Sequence, residues 1–100
     1  MQVEFRTAKL RDCYADAKKA TREWGAKVAR RYIERVNILK AAKAADDLYK
    51  VVVLRFHSLT GDRKGLYALT LVDRWRMVVS FRDKEMTVVR VEEVSAHYGD

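Results

Sequence analysis

The chain contains no proline, a single cysteine and only four glycines in 100 residues. Without proline there is no rigid proline-rich linker, and no helix or strand is broken by that route. Cys13 alone excludes an internal disulfide, and with two histidines scattered elsewhere it does not make the ligand spacing of a metal site. The opening MQVEFRTAKLRD lacks the apolar stretch of a signal peptide, so the expected compartment is the cytosol. No segment approaches the roughly 18 apolar residues of a membrane span, and basic helices without a broad apolar face hold a membrane surface only weakly. No cofactor-binding motif, internal repeat or low-complexity stretch is present, so no cofactor is expected.

What is present is positive charge. Twenty-one Lys and Arg stand against fourteen Asp and Glu, for a net charge of +7 and a pI near 9.8, a balance that favours nucleic acid or an acidic protein as partner. The excess is uneven. Residues 1–50 hold thirteen basic and seven acidic groups, whereas residues 51–100 hold eight and seven. A chain of this length is expected to form one domain, 1–100, because small domains bury about 60–70 % of their unfolded surface and rarely divide further.

Hydrophobic periodicity gives the order of elements. Residues 2–6 alternate as in a half-buried strand, and Thr7 is placed to cap a helix. Leu10, Cys13, Tyr14, Ala17, Thr21 and Trp24 then recur at three- and four-residue steps, which predicts a first helix ended by Gly25. Val28, Ala29, Tyr32, Val36 and Leu39 mark a second, with Arg30, Arg31, Glu34 and Arg35 outward. Strands are predicted over 51–56, 66–72, 75–81 and 86–94, joined by links short enough for an antiparallel meander. The expected fold is α+β, βααββββ, with two helices on one face of a small antiparallel sheet. Trp75, Met77, Val79 and Phe81 then share the core face, while Arg74, Arg76, Val78 and Ser80 share the other.

Residues 56–76, FHSLTGDRKGLYALTLVDRWR, concentrate the chemistry. Cutting RNA without a metal takes one group to accept the 2′-hydroxyl proton, another to protonate the leaving oxygen, and cations for the charge gathering on phosphorus. His57 can exchange protons near neutral pH, and Arg76 offers a planar guanidinium that matches phosphate oxygens. Arg63 and Lys64 lie in a glycine-flanked turn able to approach a phosphate, and Arg55 and Arg74 are weaker candidates for the same contact. Glu93 is a candidate base or a partner for His57, and equally a plain ion-pair partner for an arginine. Lys18, Lys19, Arg22, Arg30, Arg31 and Arg35 make a basic helical surface that serves solubility or meets RNA phosphate with affinity that falls as salt rises.

The order of elements, the run from His57 to Gly65 (HSLTGDRKG), Tyr67, the pair Trp75-Arg76 and the closing Val91-Glu92-Glu93 together resemble the HigB group of the RelE/ParE toxin superfamily. The close likeness covers residues 56–81. It implies a RelE-like bacterial toxin that enters the ribosomal A site and cuts mRNA, restrained by a helix-turn-helix antitoxin of the HigA kind, with promoter DNA reached only through that antitoxin. The resemblance assigns His57 to catalysis and Arg76 to the RNA phosphate. Glu93 takes the family's acidic position, but Val94 and Ser95 stand where tyrosine and histidine would follow, and His97 and Tyr98 come a few residues later. Thr60 stands where many relatives have lysine. The leading expectation is therefore a metal-independent mRNA endoribonuclease using His57, Arg76 and a group from Glu93, His97 or Tyr98. The alternatives are a gyrase-inhibiting toxin of the ParE branch and a basic binding module without activity.

Overall fold

The alternating N-terminus forms strand β1, Gln2–Phe5, in a computed structural model that describes residues 1–96. Thr7 caps helix α1, Ala8–Ala15, by accepting from the Leu10 amide at 3.1 Å. The predicted first helix does not run through to Trp24. Asp16 is extended (φ −137°), and its side chain accepts from the Lys18 amide at 2.9 Å, closing α1 and capping α2, Ala17–Trp24. Asp offers the backbone this local alternative to helical bonding. The break also shifts the apolar stripe, so Ala20 is buried while the predicted Ala17 and Thr21 face solvent.

Gly25 (φ 86°, ψ 162°) separates α2 from α3, Ala26–Ala41, a backbone conformation that side chains other than glycine rarely adopt. Helix α3 buries Val28, Ala29, Tyr32, Val36 and Leu39 as expected, and the Tyr32 hydroxyl donates to the Leu10 carbonyl at 2.7 Å, tying α3 to α1. Arg35 is a correction. It is 5 % exposed, donating through Nε to the Thr70 carbonyl at 3.0 Å and lying 3.5 Å from the Leu71 carbonyl through Nη2. Arg35 therefore lies under the sheet rather than on the basic surface. Burial pulls its guanidinium down from the ordinary value, as does the charge of Arg31, while Glu34 pulls the other way.

A short helix α4, Ala45–Tyr49, follows. The predicted strand over 51–56 is replaced by a 3₁₀ turn, Val52–Leu54, and β2 is only His57–Ser58. Local β propensity loses here to aromatic packing. Leu54 and Phe56 turn inward, with Phe56 stacked on Tyr67 (ring centroids 5.3 Å) and edge-on to Tyr49 (4.8 Å), which leaves Val52 and Val53 exposed.

Strands β3 (Tyr67–Val72), β4 (Trp75–Phe81) and β5 (Val88–Ala96) complete a sheet of order β1-β5-β4-β3-β2. The last four strands are antiparallel as predicted, but β1 runs parallel to β5, so the sheet is mixed. β5 starts at Val88 because the Asp83 carboxylate captures the amides of Thr87 and Val88 at the turn. Leu69, Leu71, Met77, Val79, Val89 and Val91 form the sheet's core face against Leu10, Cys13, Val28, Tyr32, Val36 and Leu39 from the helices. The helices build the core against that face, so the α+β expectation holds, and the other face carries the polar residues of the strands. Among the described residues no helix is long and apolar enough to cross a membrane.

Candidate nucleic-acid interface

Register determines which side chains meet on the helix-free face. His57 pairs with Ala68, Ala68 with Val78, and Val78 with Glu93, so these four residues form one row across β2, β3, β4 and β5. The next row holds Thr70, Arg76 and Ser95. Directly paired residues of neighbouring strands share a face, so His57, Arg76 and Glu93, expected on separate grounds, stand on one surface. The floor between them is made of small or branched apolar residues, Ala68 at 1 % and Val78 at 0 % exposure.

Arg63 joins them from outside the strands. The second 3₁₀ turn, Gly61–Arg63, places its guanidinium over the face, where Nη2 meets Glu93 Oε1 at 2.6 Å. The Ser95 hydroxyl donates to the other Glu93 oxygen at 2.9 Å. Burial alone pushes the Glu93 carboxyl up, but the hydrogen bonds from Ser95 and Arg63, with the charges of Arg63 and Arg76, more than offset this and hold it below its ordinary value. In this arrangement Glu93 is an ionised carboxylate engaged with cations, not a proton acceptor at rest.

His57 does not touch Glu93. Strands lie about 4.8 Å apart, so three steps along the row separate their backbones by about 14 Å. The exposed imidazole instead bonds through Nδ1 to the Arg55 carbonyl at 2.8 Å. A carbonyl only accepts, so Nδ1 carries a proton and Nε2 is the nitrogen left to face the sheet surface. Arg55 reaches this position in a left-handed conformation (φ 48°).

No family model matches the sequence, and no curated protein counts as a relative. Solved structures do match the fold. YafQ from E. coli strain BL21(DE3) aligns over 98 % of both chains with a TM-score of 0.67 at 15 % identity. The YoeB-YefM complex from Staphylococcus aureus gives 0.60 at 15 %, again over 98 % of both chains. A YoeB/ParE toxin from Agrobacterium tumefaciens gives 0.58 at 17 %, covering 98 % of this chain and all of its own. The chain has the RelE-like toxin fold.

Within this RelE-like fold the remaining candidates separate. Lys64 lies exposed beside the GDR turn and Arg74 exposed at the β3–β4 turn. Lys18, Lys19 and Arg22 of α2 and Arg30 and Arg31 of α3 are exposed on the helical layer, and Arg31 is paired with Glu34 at 3.0 Å. His97 and Tyr98 lie outside the described residues. Sequence reading missed Ser95 as a partner of Glu93, although the two-residue step along β5 carries that signal. It also missed Glu92, a second carboxylate held by the Ser80 hydroxyl at 2.6 Å, with its backbone carbonyl accepting from Arg6 Nε at 2.8 Å.

Proposed function

We propose that the chain is the toxin of a toxin–antitoxin pair, an endoribonuclease that enters the ribosomal A site and cuts mRNA without a metal. The observation that carries this reading is the convergence of His57, Arg76 and Glu93 on one helix-free sheet face, with Arg63 beside them. The RelE-like fold, common to solved YoeB and YafQ proteins, supports it, and so does the net charge of +7.

In the proposed reaction the 2′-oxygen attacks phosphorus, the bond from phosphorus to the 5′-oxygen breaks, and a 2′,3′-cyclic phosphate and a 5′-hydroxyl result. His57 and a second group from Glu93, His97 or Tyr98 exchange the two protons, and Arg76 and Arg63 stabilise the charge on the phosphorane oxygens. Lys64, Arg55 and Arg74 contact neighbouring RNA, while Lys18, Lys19, Arg22, Arg30 and Arg31 meet ribosomal RNA phosphate. The proposed partner is a small helix-turn-helix antitoxin of the HigA kind, which alone would reach promoter DNA, and the proposed compartment is the bacterial cytoplasm. The solved YoeB-YefM complex supports the expectation of a protein partner.

Expression in bacteria followed by mapping of new mRNA 5′ ends tests the reading. Codon-phased cuts that vanish in His57→Ala and Arg76→Ala are expected. Growth arrest with intact mRNA and damaged DNA would instead indicate gyrase inhibition, and absence of toxicity an inactive binding module.

A further inference from the structure

The Arg63–Glu93 pair crosses the face that the proposed function gives to RNA. Arg63 belongs to the turn between β2 and β3 and Glu93 to β5, so β3 and β4 lie between them. Ala68 and Val78, the two residues of the row in that interval, are closed to solvent and lie outside the core cluster that the helices share with the sheet. The Glu93 carboxylate takes a guanidinium on one oxygen and a hydroxyl on the other, with the Arg76 charge close by. A guanidinium on one anionic oxygen and a hydroxyl on the other, with a second guanidinium charge nearby, make a donor set that the non-bridging oxygens of a phosphodiester can also take.

We propose that Glu93 is a built-in stand-in for the substrate phosphate: it fills the anion subsite of Arg63, Arg76 and Ser95, and an RNA phosphodiester enters by exchanging with it. The proposal rests on the reading of this face as the RNA site. Exchange is accessible because Arg63 and Glu93 are each about a third exposed (37 % and 35 %), and ion pairs of that kind are weak. The substrate brings an anion to the same cations, so Arg63 changes partner without losing one.

Exchange also changes what Glu93 can do. Released from Arg63, the carboxylate keeps its burial but loses a cation and a hydrogen bond, and its affinity for a proton rises. It then accepts the proton of the 2′-hydroxyl as O2′ bonds to phosphorus. The bond from phosphorus to O5′ breaks, and O5′ takes a proton from the imidazolium of His57. Substrate binding thus turns a locked ion pair into a working base.

The test uses a short single-stranded RNA, 2′-O-methylated throughout so that it cannot be cut, binding to the full chain at low salt by fluorescence anisotropy. Glu93→Gln is expected to bind about three- to fivefold tighter than wild type, the range set by a partly exposed ion pair. The gain should disappear when Arg63→Ala is combined with it. Wild-type binding should tighten as pH falls through the Glu93 titration, and Glu93→Gln should not show this. In unmutated protein the carboxyl ¹³C titration of Glu93 should move to higher pH when the RNA is added, a reading that does not depend on any variant folding. Equal or weaker binding by Glu93→Gln, or an unmoved Glu93 titration, overturns the exchange while leaving the RNA site standing, provided Arg76→Ala still weakens binding. No saturable binding, or binding indifferent to Arg76→Ala, overturns both.

Discussion

The Arg35 guanidinium donates to the Thr70 carbonyl at 3.0 Å from a position only 5 % exposed. Its second bond, to Leu71 at 3.5 Å, falls where the β3–β4 register shifts between Thr70 and Val72. A bulge leaves ladder groups without strand partners, and a helix residue supplies them here. Arg35→Ala would leave buried carbonyls unsatisfied and is expected to cost about 2–3 kcal/mol in urea unfolding. Arg30→Ala, on the exposed side of the same helix, should stay within about 0.5 kcal/mol of wild type.

Arg35 also shows where the sequence was and was not legible. It follows Tyr32 by three residues and precedes Leu39 by four, squarely on the apolar stripe of α3, but its charge argued for the surface. A bulge carbonyl on β3, 35 residues further along the chain, is not visible in a helix pattern. The aromatic cluster had the same effect on residues 51–56: three valines read as a strand, while Phe56, Tyr67, Phe81 and Tyr49 packing together made a turn of it. Strict alternation in β4, by contrast, placed Arg76 and Met77 on opposite faces without any tertiary knowledge. The row from His57 to Glu93 needed register, which no single strand reveals.

The Tyr32 hydroxyl gives a second stability prediction. Its bond to the Leu10 carbonyl is buried and joins α3 to α1, and burial with the nearby Cys13 holds the phenol far above its ordinary pKa, so it acts only as a neutral donor. Tyr32→Phe keeps the ring against Trp24, at 4.7 Å between centroids, and removes the donor alone. A loss of about 1–2 kcal/mol is expected in thermal or urea unfolding.

Gly25 isolates a backbone effect. A Cβ added there meets nothing within 4 Å, so crowding contributes nothing, but φ of 86° with ψ of 162° is strained for any L side chain. Gly25→Ala is expected to destabilise by about 1–3 kcal/mol through strain at the α2–α3 junction. Gly25→Asn should lose about as much as Gly25→Ala, since the tolerance of Asn for positive φ belongs to the left-handed helical region and ψ of 162° lies outside it. Comparing the three melting temperatures checks both.

Acid stability follows from the carboxylates. Hydrogen bonds from the Thr87 hydroxyl, ahead of the Val88 and Thr87 amides, lower the Asp83 carboxyl, and Glu93 is lowered by Ser95 and the arginines against its burial. A folded-state value below the unfolded one means stability that is full above the unfolded pKa, about 4, and lost as pH falls through the folded pKa. The urea midpoint should therefore decline below about pH 4. Asp83→Asn should be less stable than wild type at neutral pH and show a shallower acid decline.

Kinetics separates the roles of the proposed active face. His57 Nδ1 is committed to the Arg55 carbonyl, which leaves Nε2 as the nitrogen that meets substrate. His57→Asn can imitate only the Nδ1 bond and should lose proton transfer, about 10²- to 10⁴-fold in cleavage rate on programmed ribosomes, with binding retained. Arg76→Lys keeps the charge but not the planar two-point donor, so its loss should appear in the rate more than in affinity. Reversing Lys18, Lys19 and Arg22 to Glu should do the opposite, weakening ribosome affinity and flattening its salt dependence while the single-turnover rate at saturation is kept. If the α2 reversals instead abolished single-turnover cleavage by folded protein, catalysis would not be confined to the sheet face.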